Sequence, residues 1–299
     1  MSHVKIATAP CSWGVWYADG TPSGTPYSTF LDQAAQAGYQ ALELGPDGYL
    51  PTDLVKLQEE LTSRGLEVCA GTACYAFDQG SSFSDFRPQV EALCKRLVAL
   101  NAQYLVTMDE SDVGLYGEKK QTFSATDWTV FLTKIRDMGR YVESEFGIQM
   151  VYHPHIKTMI ESESEIIRLM EFTGLCLCFD TGHHAYVNGN GQKGDPSAPD
   201  FIRRFADKIA YLHFKQVDGK VYREVMAKHL DSDTAFDMNV MCDLPDGIID
   251  FMEIRQALDD IGFAGIAVVE SDMPRATTAQ AFVSAKRNLR YLRDLHIIT

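Results

Sequence analysis

The segment LCLCFDTGHH (residues 175–184) passes directly from a run of apolar residues to an aspartate, a glycine and two histidines. A short apolar run of this kind is typical of a strand that is buried on both faces, and Asp180 follows at its end. Alternate side chains of a strand share one face, which groups Asp180 with the small Cys176 and Cys178 and places the bulky residues on the other face. The segment therefore predicts an inner strand of a parallel sheet that carries an acidic side chain at its carboxyl end.

Eight strand-like runs alternate with amphipathic, helix-like runs along the whole chain. Strands are predicted over 4–10, 39–45, 66–72, 103–109, 148–153, 175–180, 209–215 and 266–271, and four of the helices over 27–38, 53–65, 86–100 and 127–147. Because eight such units fit a barrel of the usual size, we predict an α/β fold, a single-domain (β/α)₈ TIM barrel over residues 1–299. No GxGxxG motif follows the first strand, which disfavours an open, doubly wound sheet.

Composition limits the classes of function. Of the 299 residues 45% are hydrophobic and 23% are charged, and the formal net charge is −14. Nucleic-acid binding depends on Lys and Arg that neutralise phosphates, so we expect no nucleic-acid partner. No apolar run approaches the ~20 residues that span a bilayer, so we expect no membrane partner. The N-terminal sequence runs into a strand without the layout of a signal peptide, which predicts a cytoplasmic protein.

Two further features concern structure. The seven cysteines contain no CxxC pair, so they indicate buried thiols and not a disulfide framework or a zinc knuckle. The segment from Val217 to Ile249 shows only faint periodicity and carries Asp, Gly and Pro. It is interpreted as a long irregular loop that acts as a lid or a binding segment.

Polar side chains lie at the ends of three successive strands. Asp180 ends the sixth strand, His213 lies on the seventh with Lys215 on the same face, and Glu270 lies on the eighth. Each alone has an ordinary explanation: Asp180 as a helix N-cap, His213 as a hydrogen-bonded core residue and Glu270 as part of an ion pair at the rim of the barrel. The active sites of TIM barrels lie at the carboxyl ends of the strands, so together the three predict one site for a divalent cation. Carboxylate and imidazole ligands without thiolate suit Mn²⁺, Co²⁺, Mg²⁺ or Zn²⁺.

These motifs resemble the xylose isomerase-like TIM-barrel superfamily of sugar isomerases, epimerases and endonuclease IV-type enzymes. The segments that carry the resemblance are FDTGH (179–183), LHFK (212–215) and VVE (268–270). Within that superfamily the chain looks most like the inosose dehydratases of inositol catabolism. The segments that carry this closer resemblance are APCSWGVW (9–16), LELGPDGYLP (42–51), YHPH (152–155) and CFDTGHHAY (178–186).

The resemblance implies a divalent metal, Mn²⁺ or Co²⁺ with Zn²⁺ or Mg²⁺ as alternatives, held by the three strand-end residues and a fourth ligand. Most relatives supply the fourth ligand as a Glu at the end of the fifth strand, where this chain has YHPH. Glu161 is the first choice for that ligand here, and His153 or His155 is the alternative. The chain also departs from these relatives at Gln216 and at ESDMP (270–274), which are interpreted as substrate-facing positions.

The activity that the resemblance implies is the dehydration of a keto-cyclitol such as 2-keto-myo-inositol, or of a keto-sugar, through an enediolate. One side chain removes the proton α to the ketone and another protonates the departing hydroxyl. His155 and His183 are predicted to be catalytic because imidazole titrates near neutral pH. Lys215 is predicted to hold a substrate hydroxyl or the developing oxyanion, with an ion pair to Glu270 as the alternative.

Four residues are predicted to bind the small polyol or keto-sugar substrate. They are Trp13, Glu43, His153 and Arg223. Trp13 has a core position at the barrel top as its alternative, and Glu43 has an ion pair. Other functions stay open: a metal-dependent ketose isomerase or 3-epimerase, an endonuclease, which the net charge disfavours, and a sugar-binding protein without activity. A homo-oligomer is one open alternative for the assembly.

Overall fold

Eight parallel strands close into a barrel in which each strand lies between its neighbours in the sequence. The computed structural model describes residues 3–78, 82–110 and 123–298. The strands are β1 (His3–Thr8), β2 (Ala41–Glu43), β3 (Glu67–Tyr75), β4 (Tyr104–Asp109), β5 (Gln149–Tyr152), β6 (Cys176–Asp180), β7 (Ile209–Phe214) and β8 (Ala264–Val269). β1 pairs in parallel with both β2 and β8, which closes the sheet. The predicted TIM barrel is confirmed.

Helices between the strands cover the outside of the barrel. In the described part of the chain the α-helices are α1 (Tyr27–Ala37), α2 (Leu54–Thr62), α3 (Arg87–Ala99), α4 (Ala125–Phe146), α5 (Glu163–Thr173), α6 (Thr181–Asn188), α7 (Ser197–Arg204), α8 (Gly219–Lys228), α9 (Ser232–Asp237), α10 (Phe251–Asp260) and α11 (Thr278–Asp294). Gly147 ends α4 with φ of 65°, a left-handed conformation that glycine adopts without a Cβ clash. Among the helices just named, none is long and apolar enough to cross a bilayer.

The core has two layers, one inside the barrel and one between the strands and the helices. The inner layer consists mainly of small side chains, and Cys178 belongs to it, packed with Ala70 and Val268. Leu177 and Phe179 belong to the outer layer. The alternation along β6 is therefore as predicted, and Asp180 shares the inward face of Cys178. All seven cysteines are free thiols.

Residues 217–249 do not form a long irregular loop, so that part of the interpretation was wrong, while a role as a lid or a binding segment stays a prediction. They contain α8 and α9, and each of these helices begins at an aspartate. The side chain of Asp218 accepts from the backbone N–H groups of Lys220 and Val221, and the side chain of Asp231 accepts from that of Thr234. Aspartate is a favoured N-cap residue, so acids that resemble loop punctuation in the sequence are here the starts of two short helices.

Gln216 fastens this segment to the barrel. Its Nε2 donates to the carbonyls of Leu244 and Ile249, both at 2.9 Å. Its Oε1 accepts from the N–H groups of Val217 at 3.0 Å and Ile249 at 2.9 Å. The side chain is fully buried and its hydrogen bonds go to the backbone, so its interpretation as a substrate-facing residue was wrong.

Replacing Gln216 by Leu is expected to lower the free energy of unfolding by about 3 kcal/mol, because buried backbone groups that lose a partner cost about 1–3 kcal/mol each. Urea denaturation followed by circular dichroism measures this change. Gln58→Leu is the matched control, since Gln58 is exposed and makes one hydrogen bond, to the Ala99 carbonyl at 3.3 Å. Its expected loss is below about 0.5 kcal/mol. Equal losses in the two variants would contradict the role given to Gln216.

Candidate active site and metal centre

Four buried side chains converge at the carboxyl ends of β5 to β8. His153 directly follows β5, Asp180 ends β6, His213 lies on β7 and Glu270 directly follows β8. One ligand atom from each lies within 4.8 Å of the others, and none of the four residues is more than 6% exposed. The structure thus brings together the three predicted strand-end ligands and His153. We call these four residues the metal group.

The metal group contains buried polar atoms without a hydrogen bond, namely His153 Nδ1, Asp180 Oδ2 and His213 Nδ1. Two of them have charged neighbours, since Asp180 Oδ2 lies 3.2 Å from the Lys215 ammonium and His213 Nδ1 lies 3.1 Å from Glu270 Oε2. Buried polar atoms in proteins nearly always have a hydrogen-bond partner, so three exceptions at one place need an explanation. Imidazole nitrogen and carboxylate oxygen are ligands for divalent ions such as Mn²⁺, Co²⁺ and Zn²⁺. The donor set fits the divalent cation that the sequence predicts.

Glu161 is not one of the metal group, but it lines the adjoining cavity with Asp180 and His183, and its role as the fourth ligand stays a prediction. Its Oε2 accepts from the backbone N–H of Lys157 at 3.0 Å, and its carbonyl accepts from Asn188 Nδ2 at 3.3 Å. The carboxylate thus closes a turn of its own loop. His153, the alternative ligand, lies in the metal group, whereas His155 turns its Nδ1 to the Ile156 carbonyl at 2.6 Å.

Glu43 contacts a member of the metal group, which is the ion pair that stood as the alternative to its predicted role in substrate binding. Its Oε1 lies 3.0 Å from His213 Nε2, and Thr72 Oγ1 donates to its Oε2 at 3.4 Å. A carboxylate on one ring nitrogen fixes the tautomer of a ligating histidine and leaves the other nitrogen for a metal. That other nitrogen, Nδ1, lies 3.1 Å from Glu270 Oε2. Burial lowers the pKa of this imidazole, but Cys178 and the two glutamates outweigh it and hold the pKa well above its usual value.

Three histidine rings pack against one another beside the cavity of the site. The ring centroids of His155 and His183 are 3.8 Å apart, and those of His153 and His155 are 5.4 Å apart. Burial and positive neighbours lower the pKa of all three, that of His155 to about 4. A small cavity adjoins these rings, and its lining includes His155, His183 and Asp180.

The ammonium of Lys215 is surrounded by protein groups. Its Nζ lies 2.6 Å from Asp272 Oδ2, 2.8 Å from His183 Nε2, 3.0 Å from Glu270 Oε2 and 3.2 Å from Asp180 Oδ2. Burial alone would lower the pKa of Lys215, but the three carboxylates outweigh it and hold the pKa well above its usual value. The alternative contact, an ion pair with Glu270, is present. To hold a substrate oxygen as predicted, the ammonium would have to give up one of these partners.

The DTGHH turn is built around Lys215. Thr181 Oγ1 donates to the carbonyl of Lys215 at 2.7 Å and accepts from its N–H at 3.0 Å. A Cβ on Gly182 would lie 2.8 Å from Lys215 Cβ, so only glycine allows this approach. Asp180 Oδ1 accepts from the His183 N–H at 2.8 Å. Asp180 is therefore the N-cap of α6 and a member of the metal group at once, with one oxygen for each.

Two predicted substrate-binding residues lie away from the metal group. Trp13 is fully buried in the outer core, where it meets the edge of Phe30 at 5.0 Å and donates from Nε1 to Gln33 at 2.7 Å. Arg223 is exposed on α8 and donates to the Gly191 carbonyl at 2.8 Å. Trp13 therefore has the core position that stood as its alternative, and Arg223 contacts the loop at Gly191.

Sequence reasoning missed two residues that border the site. Asp272 continues the alternation of Val268 and Glu270 beyond β8, so extending the same pattern by one step would have found it. Phe236 lies on α9, with its ring centroid 6.4 Å from that of His183 and 5.9 Å from that of Trp16. Nothing in the sequence singles out Phe236, because the faint periodicity of residues 217–249 indicates an irregular loop and not the helix α9.

Comparison with known proteins agrees with this architecture. The family model of the xylose isomerase-like TIM barrel matches residues 31–295. The rhizopine catabolism protein MocC of Rhizobium meliloti is 30% identical over 283 residues, which is 91% of this chain and 82% of that protein. An inosose dehydratase of Klebsiella pneumoniae is 26% identical over 300 residues, which is 98% of this chain and 97% of that enzyme.

Among solved structures, the IOLI protein with a bound zinc atom is similar to this chain with a TM-score of 0.72. The sequence identity is 14%, and the similarity covers 99% of each chain, so it shows a shared fold. The match of the family model over most of the chain and the relationship to MocC confirm the resemblance of the motifs. The chain belongs to the xylose isomerase-like TIM-barrel family.

Proposed function

We propose that the chain is a divalent-metal-dependent dehydratase that removes water from a keto-cyclitol such as 2-keto-myo-inositol, or from a related keto-sugar. The observation that carries the proposal is the position of the metal group beside the His155–His183 pair and a small cavity. The similarity to inosose dehydratases supports the substrate class. Mn²⁺ or Co²⁺ is the proposed cofactor, with Zn²⁺ or Mg²⁺ as alternatives.

Each part of the site has a task in this reaction. His153, Asp180, His213 and Glu270 hold the cation, which when bound acts as a Lewis acid on the ketone oxygen and stabilises negative charge on it. His155 and His183, whose rings lie against each other, are proposed to carry the proton between them. The proton that is taken from the carbon α to the ketone is given to the departing hydroxyl, which leaves as water. Burial of the site excludes water.

The decisive experiment is metal analysis of the purified protein followed by a substrate assay. With 2-keto-myo-inositol and Mn²⁺ or Co²⁺ we expect a dione product that absorbs in the ultraviolet and has lost one water by mass spectrometry. A chelator should stop the reaction and added metal should restore it. An epimerised ketose without loss of water would point to the isomerase alternative. Failure to convert any keto-cyclitol or ketose in the presence of metal would contradict the proposal.

A further inference from the structure

Asp272 is a buried carboxylate beside the metal group to which the proposed chemistry gives no task. Its Oδ2 accepts the shortest hydrogen bond of the Lys215 ammonium, at 2.6 Å, and lies 3.5 Å from His183 Nε2. One of its oxygens also lies within 4.8 Å of an oxygen of Glu270. Asp272 is 6% exposed, so bulk water screens these interactions little. The position makes Asp272 the principal partner of Lys215.

Lys215 brings a positive charge to the place where a divalent cation would bind. Its Nζ lies 3.2 Å from Asp180 Oδ2 and 3.0 Å from Glu270 Oε2, and both carboxylates belong to the metal group. An ammonium and a metal ion that are attracted to the same two carboxylates repel each other. Unit charges a few ångströms apart in a desolvated site interact strongly. A third carboxylate that neutralises the ammonium would relieve this conflict.

We propose that Asp272 is a positioning residue that sets the metal affinity of the site by neutralising Lys215. The ammonium neutralises one of the three carboxylate charges around it, and the two negative charges that remain match a divalent cation. Without the charge of Asp272 one negative charge is left over, and Lys215 becomes an internal competitor of the metal for Asp180 and Glu270. This inference rests on the metal-binding part of the proposed function and is independent of the substrate.

The test is a titration with Co²⁺ of the full-length protein freed of metal with a chelator. The dissociation constant is read from the visible absorption of bound cobalt. We expect D272N to bind Co²⁺ at least about tenfold more weakly than wild type, which corresponds to about 1.4 kcal/mol. In K215M/D272N the two charges are removed together, so the affinity should return to within about threefold of wild type.

Two controls separate this effect from structural damage. D272E keeps the charge and is expected to keep the affinity. D195N removes the charge of another buried carboxylate, which accepts from the backbone N–H of Ser197 at 2.9 Å, and should bind Co²⁺ like wild type. Recovery of affinity in the double variant excludes damage as the cause of a weak D272N, because the double variant carries the same change and one more. Urea denaturation of the metal-free proteins reports their stability separately.

The possible results distinguish the inference from the proposed function. The role of Asp272 would be overturned if D272N bound Co²⁺ as tightly as wild type. It would also be overturned if K215M/D272N bound Co²⁺ as weakly as D272N. The metal site would still stand if wild type binds Co²⁺ and D180N does not. A wild-type protein that binds no Co²⁺ would remove the basis of the metal group, and the inference would fail with it.

Discussion

Asp180→Asn is expected to abolish both metal binding and dehydratase activity. The substitution removes one charged ligand. Loss of a group that only supports a ligand already lowers metal affinity by about 10–100-fold, so we expect Asp180→Asn to lower it by more than about 100-fold. Because Lewis-acid stabilisation is worth several kcal/mol, activity should fall about 10³-fold or more. Co²⁺ titration and the water-loss assay measure the two effects on the same preparation.

The fold should survive this change. Asp180 Oδ1 accepts from the His183 N–H at 2.8 Å, and an asparagine retains an acceptor for that N-cap. D195N is the matched control, since Asp195 is equally buried and also binds a backbone N–H group, that of Ser197. We expect D195N to retain metal and activity. Activity that persists in D180N after its metal is gone would refute the metal-dependent mechanism.

The part of the site that sequence predicts best is the part carried by regular strands. Asp180, His213 and Glu270 lie at the ends of neighbouring strands and share the inward face, and the structure brings all three together. Period-two alternation fixes the direction of each side chain, and the barrel fixes which strands are neighbours. Both rules act locally or follow from chain order, so one sequence suffices to apply them.

The sequence does not predict the position of a side chain that lies in a loop. Glu161 and His153 are both reasonable fourth ligands in the sequence, because no periodicity relates the residues after β5 to the barrel axis. In the structure His153 lies in the metal group, whereas Glu161 accepts from the Lys157 N–H in a turn of its own loop. Trp13 fails for another reason: an aromatic ring after a strand suits a core and a sugar site equally. Only its buried position against Phe30 distinguishes the two.

Tertiary hydrogen bonds explain the remaining errors. Gln216 is interpreted from the sequence as substrate-facing because the chain departs there from its relatives. Its partners, the backbone groups of Leu244 and Ile249, come from a segment far along the chain. Such a pairing leaves no local signal in the sequence. The same holds for Glu43, whose orienting contact with His213 joins two non-adjacent strands.

His183→Gln is expected to lower kcat by about 10²–10⁴-fold, the usual contribution of a general base or acid. Glutamine can still accept the hydrogen bond that Lys215 donates to His183 Nε2 at 2.8 Å, so the surroundings of the ammonium should hold. His183 is not one of the metal group, and Co²⁺ affinity should stay within about threefold of wild type. Loss of kcat with retained metal is therefore the signature of this residue, and it differs from the joint loss expected for D180N.

The neighbouring histidine supplies the control for this prediction. His184 is also buried, but its ring packs against both Phe179 and Phe201, with centroids 5.0 Å and 4.7 Å away. His184→Gln should therefore reduce the free energy of unfolding and leave kcat within about threefold of wild type. A His183→Gln enzyme with normal kcat would remove that imidazole from the proposed proton transfer. Parallel loss of metal and activity in it would instead link His183 to metal binding, either as a ligand or through its contact with Lys215.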